Sequence, residues 1–225
     1  MPGAILASLA SLAVVWAFIN AGENGWAHVP RVGALVNMGL FVGAHFAMLF
    51  FIVQFLQRVL DFGPFLAGLA FLPLTGTVFI VTRWVPGLVE RFGARIPLVI
   101  GGVLVVLSFV LWVPLSESST YVAVVIPLVL QALGVALVST AGTLTVMRTV
   151  PEQDTGSASG MLQMVQRVGG AVGIAVAVSV YASGAVEGEF IPGFAGAMLA
   201  GAALTVVATA VALFAVGKPV AQLKV

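Results

Sequence analysis

The chain has 225 residues, of which 61% are hydrophobic and 8% are charged, and its formal net charge is +1. Soluble domains carry roughly 25% charged residues, so this sequence could not cover the surface of a soluble globule, and lipid is expected to cover it instead. The small net charge excludes a basic face for nucleic acid. The lack of cysteine excludes disulfides and cysteine metal sites, and two distant histidines predict no metal centre or other cofactor.

Seven apolar stretches follow in chain order, each close to the 17–25 residues that cross a bilayer core of about 30 Å. They are a (3–20), b (34–55), c (66–84), d (96–113), e (121–146), f (161–182) and g (193–216). The stretches are continuously apolar and do not alternate with a period of two, which favours helices over barrel strands. Pro73 in c and Pro127 in e are expected to be tolerated inside the bundle. The predicted fold is an all-α membrane protein of about seven transmembrane helices.

Lysine and arginine in the short loops predict the orientation, because cytoplasmic loops carry an excess of these residues. Arg91 and Arg95 lie between c and d, Arg148 opens the loop between e and f, and two lysines lie in the tail. These loops and the C-terminus are therefore predicted to be cytoplasmic. Strict alternation then places Met1 outside, and a tilted or interfacial helix a is the alternative interpretation.

Pairs of small residues recur at a spacing of four, which allows membrane helices to approach closely. They are Gly39 and Gly43 in b, Gly156 and Gly160 before f, Gly169 and Gly173 in f, and Ala197 and Gly201 in g. The pattern indicates packed helices, and contacts that slide in a transporter are the functional alternative.

The loop between c and d holds the most specific motif, residues 87–95. Gly93 allows a turn conformation that is costly for other residues. Arg91 and Arg95 can hold lipid phosphates or the carbonyl groups at a helix end. Glu90 can pair with either arginine or approach the N-terminus of another helix. Gly87 opens the motif.

This loop resembles the G-x-L-x-D/E-R-x-G-x-R signature in the second half of major facilitator superfamily transporters. Residues 55–60, 67–73 and 156–173 resemble the fourteen-helix drug:proton antiporter branch, and residues 2–26 resemble its linker helix. Glu90 replaces the more usual aspartate, and Gln166-Arg167 stands where the branch often has Arg-Gln.

The resemblance implies a linker helix and loop (1–32), a six-helix C-terminal bundle (33–217) and a short cytoplasmic tail (218–225). It also implies that one linker helix and the first six-helix half are missing from this sequence. In this family the first half carries the antiporter signature and the acid used for proton coupling.

Polar side chains in the apolar stretches mark candidate cavity positions, because each costs about 1–3 kcal/mol at bilayer depth. Asn37, His45 and Gln54 are expected to form roughly one stripe on b. His45 is interpreted as a neutral side chain bonded to a neighbouring helix, with cavity lining or proton carriage as alternatives. Gln131 in e either contacts substrate or bonds another helix.

In f, Gln163 and Arg167 are further cavity candidates. Arg167 either extends toward the cytoplasmic surface or neutralises an acid. No acidic residue lies at the centre of any span, so a proton-coupling carboxylate is not predicted in this chain. Glu152 and Asp154 are expected to cap a helix. Their alternative role is a cytoplasmic gate bridging to Arg91 or Arg95.

The resemblance implies multidrug-type efflux of hydrophobic or amphipathic small molecules by alternating access around a midplane cavity lined by b, c, e and f. The expected location is a bacterial inner or plasma membrane, with the bilayer as partner. A separate first half or a second copy would complete the transporter. The alternatives are a non-transporting membrane interaction module and a truncated inactive fragment. An enzyme is not predicted, because no span contains paired carboxylates or an activated nucleophile.

Overall fold

The computed structural model describes residues 29–148, 155–185 and 190–215, and the regular elements within them are all α-helices. The helices are α1 (Val29–Arg58), α2 (Pro64–Leu69), α3 (Leu72–Thr82), α4 (Val85–Phe92), α5 (Arg95–Trp112), α6 (Tyr121–Arg148), α7 (Thr155–Gly184) and α8 (Ile191–Ala215). Six stretches of these residues are long and apolar enough to cross a membrane, and they correspond to spans b to g. The all-α membrane fold is therefore confirmed. Span a lies outside the described residues.

Span c is divided into consecutive short helices, which differs from the single helix expected over 66–84. Helix α2 ends at Leu69 and α3 ends at Thr82, and each lies four residues before a proline, Pro73 or Pro86. A proline ring collides with the carbonyl group four residues earlier, where it also removes a hydrogen bond. Pro73 is therefore tolerated inside the span, as expected, but the helix is interrupted before it. The residues at both breaks keep near-helical dihedral angles.

Pro127 leaves its helix intact, as expected, because α6 continues from Tyr121 to Arg148 around it. Pro127 is buried, and its carbonyl oxygen accepts a hydrogen bond from Ser108 Oγ of α5 at 2.8 Å. The Ser108 oxygen in turn accepts a bond from Trp112 Nε1 at 3.2 Å. Contacts with a neighbouring helix therefore support α6 at its proline.

The packing order of the helices places four of them in a row. Helix α3 packs on α6, α6 on α1, and α1 on α7, while α5 and α8 pack behind this row. Helix α5 contacts α6 and α8, and α8 contacts α1, α5 and α7. One side of the row is thus covered by two helices, and the other side, the open side, is covered by no helix among the described residues.

The closest helix contact in this bundle joins α1 to α7 through the predicted glycine pairs. A Cβ atom added to Gly43 would lie 2.6 Å from the carbonyl oxygen of Gly169, and one added to Gly173 would overlap the Gly43 carbonyl. Gly169 faces the backbone of Gly39 in the same way. The two small-residue pairs therefore pack against each other, backbone against backbone.

The remaining small-residue pairs differ in their surroundings. Ala197 is buried and Gly201 faces the Phe109 ring of α5, so the pair in g is also a packing contact. Gly156 and Gly160, now part of α7, have nothing within 4 Å of an added Cβ atom. The packing interpretation stays a prediction for this last pair, because no described helix lies against its face of α7.

Candidate functional site

The loop motif begins within the short helix α4 and turns at Gly93. Gly93 has φ 77° and ψ 163°, and its N–H donates to the carbonyl oxygen of Val89 at the end of α4. This backbone conformation is essentially restricted to glycine. Helix α5 then begins at Arg95. The turn expected at Gly93 is present, and it places Gly87, Glu90 and Arg91 on the helix before it.

Glu90 is paired with an arginine from another helix rather than with either arginine of its own loop. Its Oε1 lies 3.4 Å from Arg148 Nη2, at the last residue of α6. The two side chains are 66% and 52% exposed, respectively, so solvent weakens their attraction. The ion pair joins the loop after span c to the end of span e on one side of the bundle.

The predicted gate partners Glu152 and Asp154 lie outside the described residues. Arg91 is exposed and Arg95 is partly buried at the start of α5. The gate and the helix cap therefore stay predictions. From the sequence alone, Arg148 predicts only the orientation of the chain in the membrane. Its position at the predicted cytoplasmic end of e, on the same predicted side as Glu90, was the signal that could have paired them.

Two of the polar candidates meet between α1 and α6. The Nε2 atom of Gln131 lies 3.4 Å from Nδ1 of His45. Gln131 is fully buried, and its Oε1 has no hydrogen-bond partner. His45 is partly exposed, so this pair reaches from the interior of the bundle to its surface. The predicted bond from His45 to a neighbouring helix is present.

Asn37 lies elsewhere, at the contact between α1 and α8. Its Nδ2 donates to the carbonyl oxygen of Ala208 at 2.6 Å, and its Oδ1 has no partner. Asn37 and His45 therefore contact different helices, and the expected stripe is wrong. A separation of eight residues turns the helix by about 80° beyond two full turns. Gln54, seventeen residues after Asn37, lies in a third direction around the helix and is partly exposed.

Gln163 and Arg167 both lie on the open face of α7, where they are exposed. They are four residues apart, so they share a face. Arg167 precedes Gly169 by two residues, which places it about 200° around the helix from the glycines that contact α1. The face with Gln163 and Arg167 is therefore the one that no described helix covers.

The site has hydrogen-bonding capacity but no cluster that suits a metal ion within the described residues. The neutral amides, the imidazole and the guanidinium of these separate candidates can each orient a polar group on an otherwise apolar molecule. Sequence reasoning did not find the Tyr121 hydroxyl, which donates to the carbonyl oxygen of Ala70 at 2.9 Å beside the first break in span c. No sequence pattern signals a bond between a side chain and so distant a carbonyl group.

The chain matches the Major Facilitator Superfamily over residues 3–174. It is 30% identical to the multidrug resistance protein Stp of Mycobacterium tuberculosis, in an alignment covering 81% of this chain and 41% of that protein. It is 29% identical to the cephamycin export protein CmcT of Amycolatopsis lactamdurans, with 82% and 46% covered. It is 32% identical to the lincomycin resistance protein of Streptomyces lincolnensis, with 91% and 44% covered.

The chain thus spans less than half the length of these relatives. The predicted resemblance to the drug-exporting branch is confirmed by the family match and by the names of the relatives. Six apolar helices and bacterial relatives identify a multi-pass protein of the bacterial cell membrane. This chain belongs to the Major Facilitator Superfamily, a family of membrane transporters.

Proposed function

We propose that this chain forms the second half of an efflux transporter that exports amphipathic or hydrophobic small molecules by alternating access. A first half of about six helices completes the transporter. The observation that carries the proposal is the open side of the helix row, where no described helix covers α3 or α7. The names of the relatives support a drug-like substrate.

The open side is measured by how little of its helices is buried. In the most apolar stretch of the span that contains α3, 17% of residues are buried, and the value for α7 is 22%. The corresponding value for α1 is 56%. Membrane helices lacking neighbours are expected to face lipid with large apolar side chains, yet beside Met164 and Val178 the exposed face of α7 presents chiefly small and polar residues. They are Gly156, Gly160, Gln163, Arg167, Ala171 and Ala175.

Arg167 supports a protein partner over lipid on this face. It lies six residues after the start of the predicted span f, or about 9 Å along the helix. An arginine at that depth needs a water-filled cavity, an acidic partner or a long reach to the surface. A first half that brings water or a carboxylate to this face satisfies Arg167, and small residues allow its helices to approach closely.

The order α3, α6, α1 and α7 supports a cavity lined by spans c, e, b and f. His45 on α1 is partly exposed, Gln163 and Arg167 on α7 are exposed, and these three are the proposed substrate contacts. Asn37 and Gln131 are buried within the half-bundle, so they are proposed to act on substrate only through neighbouring side chains. Gln54 keeps its place as a candidate at the end of α1.

The proposal is tested by co-expressing the chain with a first half. The first half is the one encoded beside this chain or, in its absence, that of the lincomycin resistance protein. Efflux of a fluorescent amphipathic cation is measured in inverted vesicles for the chain alone and for the pair. We expect flux only from the pair, and we expect the two chains to purify together in equal amounts.

A bulky substitution on the open face provides the matched control. Ala175→Trp on α7 is expected to abolish co-purification, whereas Val207→Trp on the outer side of α8, where Val207 is 52% exposed, is expected to preserve it. If the chain alone gave flux and had the mass of a dimer, its partner would be a second copy of this chain rather than a first half. A stoichiometric pair with no flux would indicate a non-transporting interaction module.

A further inference from the structure

We propose that the contact between His45 and Gln131 is a hydrogen bond that reverses direction when His45 takes up a proton. The contact would then bind one proton between α1 and α6 without breaking their connection. A role for this proton in transport rests on the proposed function. The reversal itself does not, since it depends only on the two side chains.

The donor and acceptor inventory of the two groups carries the proposal. Gln131 Nε2 is an amide nitrogen and can only donate, so at 3.4 Å from Nδ1 it requires an unprotonated Nδ1. Neutral His45 therefore holds its proton on Nε2. A proton added to Nδ1 makes this atom a donor, and two donors would then face each other.

Gln131 has the group that resolves this conflict. Its Oε1 is buried and has no partner. Because the amide oxygen and amide nitrogen have nearly the same size, turning the amide by 180° exchanges their places. Oε1 then accepts from Nδ1–H, and the nitrogen occupies the unpartnered position. One amide group lacks a partner in either state, whereas a charged donor forms the stronger bond.

The surroundings contribute no other group to the exchange. Among the described residues, the titratable or charged groups on helices packed against α1 are Tyr121 and Arg148 on α6 and Arg167 and Tyr181 on α7. Tyr121 and Arg148 are about 15 Å and 26 Å from Gln131 along the helix. Arg167 faces away from α1, and the Tyr181 ring contacts Phe51 and Phe190.

The described parts of α2 and α8 add no charged or titratable side chain, and the two arginines of α1, Arg31 and Arg58, are each about 20 Å from His45 along the helix. His45 is also partly exposed on a row whose other side is open. A proton can therefore reach the ring from a water-filled cavity, and the Gln131 amide responds to it behind the ring.

Histidine nitrogen NMR tests the reversal, because the chain has only two histidines. The His28→Asn protein, labelled with ¹⁵N-histidine and placed in lipid nanodiscs, reports His45 alone. At alkaline pH we expect the Nε2–H tautomer. At acid pH we expect an Nδ1 proton that exchanges with water roughly tenfold more slowly than in a Gln131→Leu variant, as a charged hydrogen bond of that strength implies.

Asn37→Leu is the matched control, since Asn37 is the other buried amide with an unpartnered oxygen and it contacts α8 instead. It should leave the tautomer and the exchange rate unchanged. An Nδ1–H tautomer at alkaline pH, or equal exchange with and without Gln131, would overturn the proposal. The His28→Asn protein tests the tautomer with both His45 and Gln131 intact. Transport is not measured here, so a failed transporter assay does not affect the result.

Discussion

The contact of α1 with α7 and the contact of span c with α6 represent two ways of holding a helix in this bundle. In the first, four glycines bring two backbones together over more than one helical turn. In the second, prolines divide the span, and much of its surface is exposed, including 80% of Phe65 and 72% of Phe79. The first contact is fixed by shape, and the second leaves the span free to bend.

The difference shows what holds helices together when lipid is the solvent. Large apolar side chains gain little by leaving lipid for another helix, because both surroundings are equally apolar. A contact between glycines stabilises the helix pair more, since it allows the backbone atoms of the two helices to approach within contact distance. The span richest in exposed phenylalanine and leucine is accordingly the least buried of the six.

The largest expected effect comes from breaking the glycine contact. Gly173→Leu places side-chain atoms where the Gly43 carbonyl group lies, and overpacking of this kind costs about 3 kcal/mol. We expect a loss of this size in the free energy of unfolding in detergent. Gly160→Leu on the open face of the same helix is the control and should show no loss. Equal losses in both variants would contradict the role assigned to the α1–α7 contact.

A smaller effect is expected at the end of span c. Gly93→Ala forces alanine into a backbone conformation at φ 77° and ψ 163°, which costs about 2 kcal/mol. The same unfolding measurement checks this value. Gly87→Ala in α4 has open space around its added methyl group and should not destabilise the protein. If Gly93→Ala matched Gly87→Ala, the turn would not depend on glycine.

The smallest effect is expected from the ion pair that joins this loop to α6. Glu90→Gln and Arg148→Gln, alone and combined, form a double-mutant cycle whose coupling energy should be about 0.5 kcal/mol, as is usual for exposed pairs. The coupling should vanish in 1 M salt because mobile ions screen exposed charges. A coupling that survives high salt would mean that the pair is shielded from solvent, contrary to its exposure here.

Most of the helical framework was predictable from the sequence, because its causes are local. Continuous apolar length predicts the spans, and the spacing of Gly39 and Gly43 and of Gly169 and Gly173 predicts a close contact. The positive φ at Gly93 follows from a glycine placed between two membrane helices. Each of these depends on residues near one another in the chain.

The remaining features depend on what lies beside each helix. Pro73 and Pro127 look alike in the sequence, yet only Pro127 is buried against a neighbouring helix, and only its helix is continuous. The Glu90 partner, Arg148, is 58 residues away. The expected stripe of Asn37, His45 and Gln54 failed for a simpler reason, since helix geometry alone separates them by large angles.

Two described side-chain contacts join α6 to span c and to the loop after it, and they lie at opposite ends of α6. Tyr121, its first residue, binds the Ala70 carbonyl group, and Arg148, its last residue, pairs with Glu90. The segment from span c to Glu90 is thus joined to α6 at both ends. One helix break lies beside the Tyr121 contact, and another lies between the two contacts. While both contacts hold, span c cannot move away from α6 as one rigid unit. Because α3 also packs on α6, any displacement of span c acts on α6, which is the helix that carries Gln131.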